Sequence, residues 1–146
     1  MADPIDPLYI NAQEEAIVTA LEALNVFRQV SSADKKAGLA DRPQYPAAFV
    51  SYADDAIVQD QPRPIYNRFF QIYILIRDLT GPDNAKNASA SVLGAVDDRL
   101  SGSKLGFSNI GPLVRTRTVH NGYEDGVLGF IMQYRCKFYR ELPTAS

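Results

Sequence analysis

Residues 69–76 read Phe-Phe-Gln-Ile-Tyr-Ile-Leu-Ile. Nearly every position is β-branched or aromatic, which is the composition of a strand. Side chains alternate along a strand, so one face carries Phe70, Ile72, Ile74 and Ile76. The other carries Phe69, Gln71, Tyr73 and Leu75. Both faces are largely apolar, and both need cover. Only two segments elsewhere in the chain read as good helices. The chain is short of covering surface, and other protein chains are the expected source of the rest.

At 146 residues the chain is expected to form one domain, residues 1–146, and 46% hydrophobic content is enough for a core. The formal net charge of −2 creates no general attraction to nucleic acid or an anionic membrane. Cys136 is the single cysteine, so neither an intrachain disulfide nor a cysteine-based metal cluster is expected. Met1-Ala2-Asp3-Pro4 lacks the basic start and apolar run of a signal peptide, and no apolar stretch reaches the roughly 20 residues that span a bilayer. Synthesis in a reducing cytoplasm is expected. Residues 1–73 hold ten acidic and six basic side chains, and residues 74–146 hold nine basic and seven acidic. Such a dipole suits head-to-tail packing of identical copies.

Asn11-Ala12-Gln13-Glu14 has the form of a capping box. Ile17, Ala20, Leu21 and Leu24 follow at helical spacing, predicting a helix over residues 12–25. Residues 26–30 are short and β-prone. Residues 31–46 form a polar loop with Lys35, Lys36, Gly38, Pro43 and Pro46. A strand is expected over 47–52, then a polar connection over 53–64, where Pro62 and Pro64 oppose regular pairing. The long strand spans 65–77. After Gly81-Pro82-Asp83 a second helix is marked over 84–100 by Val92, Leu93, Val96 and Leu100. Strands over 113–120 and 127–139 close the chain, joined through Asn121-Gly122 and Glu124-Asp125-Gly126. The order is α-β-β-β-α-β-β. The fold class is α+β, a mostly antiparallel sheet of about five strands with both helices on one face.

In the last strand Leu128, Phe130, Met132, Tyr134, Cys136 and Phe138 make an apolar face. Parity then gathers Arg115, Arg117, Arg135 and Lys137 on the opposite one. A solvated sheet face is one reading. A patch that meets acidic groups of a neighbour, or faces DNA in a channel, is the other. No aromatic residue interleaves the four, which argues against a stacking platform for single strands.

No catalytic set is visible. His120 is the only histidine and lies beside the Asn121-Gly122 turn. Cys136 lies on the apolar face, where a thiol is inert. Asp54-Asp55 and Asp97-Asp98 are adjacent pairs, whose members diverge on a strand or a helix. We therefore expect no enzymatic activity, no cofactor and no metal site.

The organisation resembles the tail terminator (tail completion) proteins of long-tailed bacteriophages, in particular the Mu-like minor tail protein group. The resemblance rests on Glu15-Ala16-Ile17-Val18-Thr19-Ala20-Leu21 running into a short strand, and on Tyr45-Pro46-Ala47-Ala48-Phe49-Val50 after a polar loop. It also rests on Phe70-Gln71-Ile72-Tyr73-Ile74 before the helix with Val92-Leu93-Gly94-Ala95-Val96, and on Glu124-Asp125-Gly126 opening a long final strand. It covers nearly the whole chain. It implies a structural virion protein that forms a homohexameric ring at the head-proximal end of the tail. The ring stops growth of the tail tube and joins it to the neck. Its partners are then itself, the tube protein, neck or connector proteins and, in contractile tails, sheath protein. DNA passes through the lumen without specific binding, and no membrane is involved. On this reading Phe69, Tyr73 and Leu75 contribute to ring packing. The two loops, with Lys35, Lys36, Asp54, Asp55 and Arg63, grip the tube or a neighbour. Arg115, Arg117, Arg135 and Lys137 serve an interface or the lumen. Two alternatives stay open: a neck or head-completion protein, and a small ligand-binding regulatory α+β domain.

Overall fold

The computed structural model describes residues 5–32, 44–77 and 82–140, with backbone only at 82–86 and 88. Lys35 and Lys36, with most of the loop expected over 31–46, lie outside these residues. The elements are α1 (Ile10–Glu22), β1 (Gln29–Ser32), β2 (Ala47–Gln59), β3 (Ile65–Arg77), α2 (Pro82–Leu100), β4 (Val114–Glu124) and β5 (Val127–Tyr139). They form one sheet in the order β1-β2-β3-β5-β4. β1 pairs with β2 in parallel, and every other pair is antiparallel. The architecture is the α+β one expected from the sequence.

β3 sits at the centre of the sheet, between β2 and β5. Phe70, Ile72, Ile74 and Ile76 are buried and alternate with half-buried neighbours. Directly opposite them on β5, Tyr134, Met132, Phe130 and Leu128 are buried too. α1 and α2 close this side through Ile17, Val18, Ala20, Leu21, Val96 and Leu100. Each Ile, Val, Leu, Phe or Met among them contributes about 1.5–3 kcal/mol on full burial.

α1 starts earlier than its sequence suggests, and the reason is a different cap. The Asp6 carboxylate accepts from the backbone N–H groups of Asn11 (3.2 Å) and Ala12 (2.9 Å). Asn11 falls inside the first turn, so the expected capping box does not form. Glu14 accepts instead from the Tyr52 N–H at 2.6 Å, tying α1 to β2. α2 ends at Leu100, where Gly102 takes a left-handed φ of 83° and donates to the Leu113 carbonyl. The segment after it buries Ile110 and Leu113.

Two strands run further than their composition indicates. β2 continues through residues 53–59, expected to be a connection, and pairs up to Gln59 opposite Ile65. A bulge between Tyr52 and Asp54 absorbs the change of register, and Pro62 and Pro64 lie beyond the ladder. β4 likewise runs through Asn121-Gly122, which forms an irregularity rather than the turn. The chain reverses at Asp125 (φ 53°) and Gly126 (φ 77°).

Candidate functional site

The side of the sheet away from the helices is the candidate site. Strand register builds it in rows. One row runs Phe49–Tyr73–Ile131–Val119, the next Ser51–Gln71–Gln133–Arg117. The third runs Asp54–Phe69–Arg135–Val114, and beyond it lie Ala56, Asn67 and Lys137. The face is thus apolar at one end. At the other, acid lies on the β2 side and base on the β5–β4 side.

The sequence-derived residues fall as follows. Phe69, Tyr73 and Leu75 share this face and are half-buried. The Tyr73 hydroxyl is 2.8 Å from Gln71 Oε1 and donates to it. The cover is not uniform, because Ala47 and Phe49, in the same rows, are buried at 0% and 1% exposure. They lie outside the main core cluster, so the β2 corner of this face is closed within the chain. The unfilled part of the face therefore lies toward its middle and its β5–β4 side. Two depressions mark its ends. One, of about 540 Å³, is lined by Tyr45, Leu75, Tyr123 and Glu124. The other, of about 320 Å³, is lined by Val114, Arg135, Lys137 and Tyr139.

Arg115 does not join the basic group. The bulge between Arg115 and Arg117 reverses the parity, placing Arg115 opposite Tyr134 on the helix side. Its Nε lies 3.3 Å from Asp97 Oδ1 on α2. That oxygen also accepts from the Ser101 hydroxyl at 2.7 Å and the Tyr134 hydroxyl at 2.9 Å. Burial pushes the Asp97 carboxyl up, but the two hydroxyls and the guanidinium together outweigh it, and its pKa lies below the ordinary value. The same contact and burial raise the Tyr134 phenol. Arg117, Arg135 and Lys137 remain as the basic group, and none of the three is ion-paired among the described residues.

Asp55 is also removed from the outer surface. The first β2 bulge turns Asp54 outward beside Phe69 and Asp55 inward opposite Arg68. Arg68 is fully buried, and its Nε and Nη2 each reach an Asp55 carboxylate oxygen at 2.9 Å. Its Nη1 donates to the Leu8 carbonyl at 2.6 Å and to Gln13 Oε1 at 2.9 Å. Its guanidinium carbon lies 3.8 Å from the Phe138 ring centroid. Sequence reasoning missed this cluster. The signal was present: Arg68 has the parity of Phe70 and Ile72, so it points into the core and requires a buried partner.

Of the remaining candidates, Arg63 is exposed in the turn between β2 and β3. His120 lies on exposed β4, 5.5 Å from the Phe130 ring. Cys136 is buried, and that burial pushes its thiol up to about 12. Among the described residues no group of three or more His, Cys, Asp or Glu side chains is placed to hold a metal. What this arrangement can do is bind by packing and charge.

No family model matches the chain, and no curated relative matches it. Among solved structures it is similar to a chain of the virion of a native gene transfer agent particle, with a TM-score of 0.59 and 20% identity. The match covers 89% of this chain and 97% of that one, so the two share a fold over nearly their whole length.

Proposed function

We propose that this protein is a structural virion component, a tail terminator whose copies form a ring on the head-proximal end of the tail tube. The ring stops tube growth and presents a surface to the neck, and DNA passes through its lumen. Its role is structural, not catalytic. The observation that carries the reading is the half-buried apolar centre of the helix-free face, beside charges that no ion pair satisfies among the described residues. A closed ring consumes such surface on every copy. The likeness in fold to a gene transfer agent virion chain supports a place in the virion. The sequence resemblance supports the head-proximal end and a ring of six.

Deleting the gene tests this directly. Loss of a terminator yields tails of uncontrolled length in electron micrographs. Tails of normal length with leaky heads would instead assign the protein to head completion. Normal particles would exclude both roles.

A further inference from the structure

We propose that neighbouring copies meet head to tail, with the outer part of β2 from one copy seated against the basic end of the next copy's helix-free face. This deepens the ring reading and rests on it. Four large apolar side chains are more than two-fifths exposed among the described residues: Ile5, Ile57, Val58 and Val114. Ile57 and Val58, at 59% and 50%, lie on the outer part of β2. Asp54 and Asp60 flank them in sequence, both exposed and neither ion-paired among the described residues. Arg63, in the turn beyond, is the one cation of residues 53–64. Val114, at 46%, lies instead in the 320 Å³ depression with Arg135 and Lys137. One element is apolar and mainly acidic, and the other is apolar and basic.

Their placement gives the contact its direction. Among the described residues β1 pairs with β2 only from Ala47 to Val50, and beyond that point β2 is the outermost described strand on this side of the sheet. β4 pairs with β5 no further than Val114 opposite Arg135, which leaves the basic depression at the opposite side. β3 and β5 lie between, so about 14 Å, three strand spacings, separates β2 from β4. One molecule cannot bring the two elements together. Two different surfaces on opposite sides of one sheet make a heterologous contact, the kind that closes a ring by rotation.

Two variants of the full chain, each with one added cysteine, test the contact, because the native Cys136 is buried. Val58→Cys mixed with Val114→Cys is expected to give a disulfide-linked dimer under mild oxidation. Neither variant alone should do so. The paired charge reversal Arg135→Glu with Lys137→Glu should weaken assembly at least about tenfold by sedimentation. Mixing it with Asp54→Lys, Asp60→Lys protein should restore association. Oligomers that form normally in the reversed variant, with no mixed disulfide, overturn the contact but leave the ring reading standing. A chain that stays monomeric at every concentration and on tail tubes overturns both. Unchanged oligomer size with lost retention of double-stranded DNA assigns the basic end to nucleic acid and overturns the proposal.

Discussion

The two faces of β3 are built from nearly the same side chains and meet different fates. Phe70, Ile72, Ile74 and Ile76 are buried under α1 and α2, whereas Phe69, Tyr73 and Leu75 stay half-buried with no helix over them. The difference teaches that composition sets how much a surface needs cover, and connectivity decides whether its own chain supplies it. Both helices fall on one side, so the other side keeps its apolar centre and gathers unpaired charge around it. The same contrast divides the arginines. Arg68 is locked inside by a bidentate carboxylate, while Arg117 and Arg135 have no ion-pair partner among the described residues of the outer face.

The sharpest way to break this contrast is at Arg68. Arg68→Ala leaves Asp55 buried without its partner and is expected to cost about 3–5 kcal/mol in denaturant unfolding. Arg68→Met combined with Asp55→Leu should recover most of that loss, since a packed apolar pair needs no charge compensation. Recovery by the double change separates burial of a charge from simple loss of volume.

Next in size is a matched pair on the two faces. Ile72→Ala removes fully buried atoms and should lose about 2–5 kcal/mol. Tyr73→Ala, one position along, should lose distinctly less in the isolated chain and instead weaken assembly measured by sedimentation. Equal losses of stability at the two positions would show that both faces are covered alike.

A smaller effect is expected in acid. Asp97 has a lowered pKa in the folded protein, so it stabilises the fold above its unfolded value of 3.8, and that contribution is lost as pH falls through the folded value. Asp97→Asn should therefore remove about 0.2–1 kcal/mol at neutral pH, the range of exposed pairs, and leave stability little changed once the pH has fallen below the folded value. Thermal unfolding across pH reads both. The smallest signal is at Cys136, which should react with a thiol reagent at pH 8 only after unfolding, because burial holds it as the neutral thiol.

Much of this was legible in the chain itself. Alternation in residues 65–77 and 127–139 defines both central strands to the residue, because a buried face imposes a strict period of two. The helix stripes and the class of fold followed from the same logic. The extent of β2 and β4 was not legible. Residues 53–59 mix Asp54, Asp55 and Gln59 with Ala53, Ala56, Ile57 and Val58, and their burial follows no strict alternation, so they carry little strand signal.

By itself, then, the sequence determined which side chains must share a face in the central strands, and that one apolar face would exceed the helices available. Only the tertiary structure decided which charges belong to that face. Bulges after Tyr52 and Arg115 each insert one residue, and one residue turns every later side chain over. Asp55 is thereby sent in to Arg68 and Asp54 out beside Phe69, and Arg115, ahead of its bulge, faces Asp97 while Arg117, beyond it, faces out. Parity is a local property of the chain, whereas a bulge is settled by what the neighbouring strand and the helices above can accept.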